Sequence, residues 1–164
     1  MDTTYDKDNA QHPAMMKPRI RSATLSDLTS LVEIDRMCFT EDLAFDEEEF
    51  RRHLSDSNAV SLVADISGTA AGFSIATLEH SGREATLVTL DVLPPYRRSG
   101  VGSALVEAAR HWLLGRGAGR LFLQVDTSNE AALAFYLGLG FRKVRILSGY
   151  YGRGKDAYLM RKNL

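Results

Sequence analysis

A basic, glycine-containing turn is the stretch of this sequence whose residue types are best suited to bind a ligand. It reads RRSGVG over residues 97–102, between an apolar strand-like segment at 86–92 and a helical pattern that begins at Val101. The first amides of a helix have no partner within it and carry partial positive charge. Glycine lets a backbone approach a ligand closely, and two arginines add full charges. The turn therefore predicts a site for a phosphate or pyrophosphate.

Two common nucleotide motifs do not fit this turn. No Gly-Lys-Ser/Thr follows it, as a P-loop would require. It is not a G-x-G-x-x-G fingerprint either, and no acidic residue stands at the ribose spacing. The remaining prediction is a pyrophosphate site that needs no metal, and coenzyme A has that chemistry. The alternative is that Gly100 and Gly102 only form a tight turn between strand and helix.

A second block of residues makes the first more specific. The sequence N-E-A-A-L-A-F-Y-L-G-L-G-F occupies residues 129–141, one helix and one strand after the turn. Together, R-x-x-G-x-G at 97–102 and N-x-A-A-x-x-F-Y-x-x-x-G-F at 129–141 resemble the acetyl-CoA and catalytic motifs of the GNAT acetyltransferases. The resemblance extends over residues 18–164, and residues 1–17 are predicted to be a disordered extension because they are polar and aperiodic.

The elements that must position these motifs are predicted from hydrophobic periodicity and from caps and turns. Their order is βααβββαβαββ, with predicted strands at 19–21, 59–65, 70–79, 86–92, 121–125, 141–147 and 157–161, and helices over 24–39, 46–54, 101–114 and 129–139. This is the GNAT order. The resemblance therefore implies an α/β (α+β) fold with a central mixed, mostly antiparallel sheet of about seven strands. It also implies helices on both faces of that sheet, and splayed fourth and fifth strands.

The resemblance assigns the cofactor contacts residue by residue. In GNAT proteins the pantetheine arm of acetyl-CoA lies between the two splayed strands, which implies main-chain contacts from Leu90, Asp91 and Val92. The phosphate contacts would come from the turn and the first helical residues, namely Arg97, Arg98, Ser99, Gly100, Val101, Gly102 and Ser103. Asn129 would contact the pantetheine or simply cap the following helix.

Tyr136 is implied to be the general acid that protonates the departing thiolate, since the family has a tyrosine at this position. The phenol pKa of about 10 lies slightly above that of a thiol. The alternative is that Phe135 and Tyr136 are only core aromatics.

The sequence offers several candidates for the general base. Gln124 occupies the position where ribosomal-protein acetyltransferases have a glutamate, and glutamine cannot accept a proton. Asp126 lies on the same strand face. The side chains that could reach the site through water are Glu79, His80 and Glu84.

The end of the chain suggests the acceptor. Residues 150–160, with Tyr150-Tyr151 and then Asp156-Ala157, resemble the Y-Y…D-A…M segment of protein N-terminal acetyltransferases, including the bacterial ribosomal-protein alanine N-acetyltransferases. There the tyrosines line the peptide groove, so Tyr150 and Tyr151 are implied to contact the acceptor. Phe39 and Phe45 are predicted to form its opposite wall. The alternative is a tyrosine-rich hairpin packed on its own sheet.

Composition limits the partners. The chain has 164 residues, a net charge of −1 and one cysteine, Cys38. These values predict one domain, no nucleic-acid or membrane partner and a cytoplasmic location. No paired ligand spacing predicts a metal, Cys38 is predicted to fill the core, and a monomer or homodimer is expected.

The function predicted from the sequence is direct, acetyl-CoA-dependent transfer of an acetyl group to a primary amine. The preferred acceptor is a protein or peptide N-terminus. A small-molecule amine is the alternative acceptor, and an acyl-CoA-binding sensor without catalysis is the alternative class.

Overall fold

The computed structural model describes residues 17–164. Residues 1–16, most of the predicted disordered extension, lie outside the described residues. Within residues 17–164, four α-helices and seven strands follow one another in the predicted order. They are β1 (Arg19–Ser22), α1 (Leu28–Cys38), α2 (Glu47–Ser55), β2 (Ala59–Ile66), β3 (Thr69–Leu78), β4 (Glu84–Val92), α3 (Val101–Leu114), β5 (Arg120–Asp126), α4 (Glu130–Gly138), β6 (Arg142–Leu147) and β7 (Ala157–Asn163).

Local sequence signals determine several of these boundaries. Ser67 and Gly68 join β2 to β3 with φ angles of 53° and 82°, and a two-residue turn with positive φ at both positions matches the right-handed twist of the two strands. Asp46 caps α2, because its side chain accepts a hydrogen bond from the Glu49 amide while Glu49 bonds back to the Asp46 amide. These signals lie within a few residues of each other, which is why the sequence predicted the elements closely.

The sheet has helices on both faces, as predicted. Its strand order is β1-β2-β3-β4-β5-β7-β6, and among the described strands only β4 and β5 pair in parallel. One core cluster contains α3, Leu133 of α4 and strand residues such as Leu87 and Leu123. The other contains α1, α2 and residues such as Val63 and Phe73. The mixed, mostly antiparallel architecture is therefore confirmed.

The fourth and fifth strands separate after a short paired segment. Residues 84–86 of β4 pair with 120–122 of β5, and the register ends there. From Leu87 to Val92, β4 stays paired with β3 and has no β5 partner. The β5-facing edge of this segment is therefore open to hydrogen-bond a ligand, which confirms the predicted splay.

Candidate active site

The turn before α3 has the backbone geometry of an anion site. Gly100 caps the 14-residue helix with a φ of 87°, and Arg98 has a φ of 59°. A left-handed arginine is energetically unfavourable, and such strain is concentrated at ligand sites. No described side chain caps the helix. The first-turn amides at 101–103 therefore keep their donor capacity for an anion.

The two arginines of the turn have different environments. Arg97 folds back onto the sheet, where its Nε donates to the Val92 carbonyl at 2.8 Å and its Nη2 lies 3.7 Å from Cys38 Sγ. The Val92 carbonyl is thus occupied by Arg97. Arg98 is exposed and makes no recorded side-chain bond to the described residues. Arg98 is consequently the side chain available to pair with a phosphate.

Gly102 is required by packing as well as by its place in the turn. A Cβ atom at Gly102 would lie 3.1 Å from the Phe135 ring of α4. At Gly100 a Cβ would meet no described atom within 4 Å. Gly102 therefore permits close contact between α3 and α4, whereas Gly100 provides the left-handed turn and leaves space above it.

Tyr136 of α4 packs against the core cluster that contains α3 and residues of β4 and β5. Its ring packs edge-on between Phe135 and Phe141, with centroid distances of 5.0 and 5.6 Å. Its hydroxyl makes no hydrogen bond to a described residue. Burial raises the pKa of Tyr136 above its ordinary value, and the charges of Asp91 and Tyr151 act in the same direction. The hydroxyl is therefore fully protonated at neutral pH and has a proton to give.

The predicted acceptor tyrosines lie against the strand that carries Gln124. Tyr151 donates its hydroxyl to the Gln124 carbonyl at 3.2 Å, and burial raises the pKa of Tyr151 to about 12. Tyr150 packs edge-on against Tyr151 with a centroid distance of 4.9 Å and is 51% exposed. Tyr151 is thus fixed in the site, while Tyr150 offers an exposed aromatic face.

Asp156 explains why the loop between β6 and β7 has a defined shape. Its carboxylate accepts from the Gly149 amide at 2.8 Å, and its carbonyl accepts from the Thr127 amide at 3.0 Å. Asp156 therefore joins the two ends of the loop between β6 and β7 to each other and bonds to Thr127, the residue that follows β5.

The proposed opposite wall consists of two phenylalanines in different surroundings. Phe39 is 40% exposed at the end of α1. Phe45 packs against Phe50 and stacks on His53, with centroid distances of 5.7 and 5.8 Å. Phe39 is thus free to contact a ligand, and Phe45 mainly supports the loop between α1 and α2.

Two polar side chains near the site have local structural roles. Asn129 accepts from the Ala132 amide at 3.1 Å, so it caps α4 as the alternative interpretation predicted, and its Nδ2 group remains unbonded among the described residues. Asp126 accepts from the amide and hydroxyl of Ser128, and these hydrogen bonds hold the pKa of Asp126 below its usual range. Asp126 is consequently occupied and is a poor candidate for the base.

A buried pair of carboxyl groups was not recognised from the sequence. Asp35 of α1 and Asp91 of β4 are each 1% exposed and lie close enough to affect each other's pKa, and Asp91 Oδ1 has no hydrogen-bond partner among the described residues. The Phe45 amide donates to Asp35 at 2.6 Å, and the Thr89 hydroxyl donates to Asp91 at 3.1 Å. Two neighbouring carboxylates that are both buried repel each other and lose hydration, which favours a proton on one of them. Burial, with the neighbouring Asp35 charge, raises the pKa of Asp91 to about 8.

Cys38 lies at the edge of this pair. Burial raises the pKa of its thiol, and its Sγ is 3.6 Å from the Val92 carbonyl. A protonated, half-buried thiol is a poor nucleophile, which agrees with the predicted role as a core filler.

Comparison with known proteins identifies the family. A model described as the acetyltransferase (GNAT) family matches residues 28–141. The chain belongs to the GNAT family of acetyltransferases. An N-alpha-acetyltransferase of Sulfurisphaera tokodaii is 32% identical over 87% of this chain and 90% of its own length. The N-alpha-acetyltransferase RimI of Mycobacterium tuberculosis is 31% identical over 88% of this chain and 91% of its own.

A solved structure agrees with this relationship. The crystal structure of the ribosomal-protein-S18-alanine N-acetyltransferase from Escherichia coli superimposes with a TM-score of 0.78 at 31% identity, covering 89% of this chain and 93% of that one. The GNAT chain described here is therefore an acyltransferase that shares the fold of this relative. Within residues 17–164, no helix is both long and apolar enough to span a membrane.

The residues present fit acetyl-CoA, the cosubstrate of the family. The unpaired edge of β4 from Leu87 to Val92 offers backbone groups to the pantetheine arm. The free amides at the start of α3 and the exposed Arg98 suit the phosphates. Leu90 and the protonated Tyr136 both pack against the core cluster that contains α3.

The acid pair makes a testable prediction about stability. Because the folded state keeps a proton on Asp91 that the unfolded chain has lost above about pH 4, the unfolding free energy falls as pH rises through about 8. We expect Asp91→Asn to be increasingly stabilising, relative to the wild type, between pH 5 and 9, by at least about 1 kcal/mol in total. Thermal unfolding at each pH measures this difference.

The control for this prediction is Asp126→Asn, which removes an aspartate whose pKa is held below its usual value and so below this pH range. Its melting temperature should differ from that of the wild type by the same amount at every pH from 5 to 9. If the melting temperature of Asp91→Asn also differed from that of the wild type by the same amount at every pH, the folded protein would hold no extra proton on the buried pair.

Proposed function

We propose that this protein transfers an acetyl group from acetyl-CoA directly to the α-amine of a protein or peptide N-terminus. The observation that carries this proposal is the loop between β6 and β7, which contains Tyr150 and Tyr151. Asp156 bonds to the Gly149 amide within this loop, and the Tyr151 hydroxyl bonds to the Gln124 carbonyl of β5. An exposed Phe39 lies on the loop that follows α1. Relatives that are named N-alpha-acetyltransferases, and that this chain matches over most of its length, support the same acceptor.

Different residues of the site bind acetyl-CoA, protonate the leaving thiolate and hold the acceptor. Acetyl-CoA supplies the acetyl group as a thioester. Backbone groups of Leu90 and Asp91 hold the pantetheine, and the start of α3 with Arg98 holds the phosphates. Tyr136 protonates the departing sulfur, which contributes typically 10²- to 10⁴-fold to the rate of such a step. Tyr150, Tyr151 and Phe39 hold the first residues of the acceptor close to the thioester.

The acceptor can be tested by measuring thiol release from acetyl-CoA with matched substrates. Short peptides with a free N-terminus should support turnover, and the same peptides with a blocked N-terminus should not. Polyamines, amino acids and aminoglycosides are included in the same assay. Turnover only with these small amines would favour a small-molecule acetyltransferase. Tight acetyl-CoA binding with no turnover would favour a sensor and contradict the proposal.

A further inference from the structure

A cavity beside Gln124, the position where the sequence resemblance implies a base, contains the carboxylate of Glu79. It has a volume of about 470 Å³ and lies over the last paired residues of β4 and β5. The side chains that line it come from β4, β5, β7 and the turn between β3 and β4, and they are Glu79, His80, Ser81, Glu84, Thr86, Phe122, Gln124 and Leu159.

The orientation of the strands explains why these residues meet. Ala85, Leu87, Leu121 and Leu123 point into the core beneath α3. Because side chains alternate along a strand, Thr86 and Gln124 project from the opposite face of the sheet. Gln124 lies just beyond the Thr86–Phe122 pair, where the two strands begin to separate. The cavity therefore opens beside the gap rather than on a remote surface.

Of the ionisable groups in this cavity, Glu79 is the one whose side chain is held by a hydrogen bond but is not in a salt bridge with a described residue. The Thr86 hydroxyl donates to its Oε1 at 3.2 Å. The Glu79 main chain closes the turn, since its amide donates to the Glu84 carbonyl at 2.8 Å. Glu84 is instead paired with Arg120 at 2.9 Å. His80 is exposed, as Glu79 is, but its side chain makes no hydrogen bond or ion pair with the described residues.

We propose that Glu79 is the proton acceptor of the reaction and replaces the base that Gln124 cannot be. Its carboxylate takes a proton from the acceptor ammonium through one water molecule in the cavity, beside the Gln124 amide and the Thr86 hydroxyl. This inference rests on the proposed function, because it requires an acceptor amine at the mouth of the gap.

The proton balance of the step closes with the groups named. One N–H bond of the ammonium breaks, and the proton passes through the water to a Glu79 oxygen. The freed electron pair forms the N–C bond as the C–S bond breaks. Tyr136 gives its proton to the sulfur and regains one from the nitrogen as that nitrogen becomes an amide. The proton on Glu79 returns to solvent.

The test is the pH profile of Glu79→Gln with a peptide that has a free N-terminus and with saturating acetyl-CoA. Without the base, only acceptor that is already neutral reacts. For an α-amine with a pKa of about 8, that is roughly a tenth at pH 7. We expect kcat/KM to fall about tenfold at pH 7 and to recover steeply between pH 7 and 9. The wild type should vary much less over this range.

A second substitution distinguishes a base from a structural role. Gln124→Glu in the Glu79→Gln background puts a carboxylate at the position of the family's base, and it should restore activity at pH 7 and flatten the profile. Glu107→Gln in the wild-type background is the control. It removes a carboxylate from an exposed face of α3, where Glu107 pairs with Arg110 at 2.6 Å, and should change neither the activity at pH 7 nor the pH profile. Thermal unfolding of each variant checks that the fold is intact.

Several outcomes would overturn the inference. Wild-type activity and profile in Glu79→Gln would exclude Glu79 as the proton acceptor. A loss of the same size at every pH would show a structural contribution only. If His80→Asn or Glu84→Gln gave the expected profile and Glu79→Gln did not, the base would be elsewhere in the cavity. If the wild type acetylated no free N-terminus, the proposed function itself would fail, and this is seen before any variant is made.

Discussion

Replacing Tyr136 with phenylalanine should lower kcat about a hundredfold and leave the affinity for acetyl-CoA within about twofold of the wild-type value. The ring would stay packed between Phe135 and Phe141, so only the hydroxyl is lost. That hydroxyl makes no bond to a described residue, and burial keeps it protonated. Its removal therefore deprives the departing sulfur of a proton donor without disturbing the fold.

Steady-state kinetics with the best peptide, together with calorimetric titration of acetyl-CoA, measures both quantities. The matched control is Tyr158→Phe on β7, a half-buried tyrosine whose ring lies 4.0 Å from Lys143 Nζ. That variant should keep wild-type turnover. Equal turnover in Tyr136→Phe would remove Tyr136 from the acid role and leave it only the core packing that the sequence suggested as an alternative.

Introducing glutamate at Gly100 should weaken acetyl-CoA binding about thirtyfold. A carboxylate some 8 Å from the phosphates costs on the order of 2 kcal/mol at an effective dielectric constant near 20. The space above Gly100 is open, so the side chain would enter the region where the phosphates are expected. The measurement is the dissociation constant of acetyl-CoA by calorimetry, repeated at higher salt, where the difference should shrink.

Gly100→Ala separates charge from backbone strain. Gly100 has a φ of 87°, so any side chain destabilises the turn, by about 1–2 kcal/mol. Alanine adds this strain without the charge, and its dissociation constant should stay close to that of the wild type. Equal weakening by alanine and glutamate would attribute the effect to the backbone. Unchanged affinity in Gly100→Glu would contradict a phosphate site at the start of α3.

The elements and motifs of this fold could be predicted because their determinants are local. Strand β4 begins at Glu84 rather than at residue 86, and β7 extends to Asn163 rather than to residue 161. At these ends charged residues continue the backbone pairing between strands, and a prediction from hydrophobic periodicity does not extend to charged residues. Short, contiguous sequence patterns likewise predicted the turn before α3 and the position of Tyr136.

What the sequence did not reveal are contacts between distant segments. Asp35 and Asp91 are 56 positions apart, and nothing in either neighbourhood indicates that both carboxyls are buried together. The bond from Arg97 to the Val92 carbonyl and that from Tyr151 to the Gln124 carbonyl depend on side-chain orientation. Such pairings are decided by packing of helices and loops on the sheet, which periodicity cannot specify.

The central claim is that the acceptor is an α-amine, and one measurement addresses it directly. A peptide with a free N-terminus and an internal lysine is incubated with acetyl-CoA and the wild-type protein, and tandem mass spectrometry locates the acetyl group. An α-amine has a pKa of about 8, whereas that of lysine is about 10.4, so the N-terminus is also the easier group to deprotonate. We predict acetylation at the N-terminus alone. Acetylation of the lysine side chain alone would contradict the account.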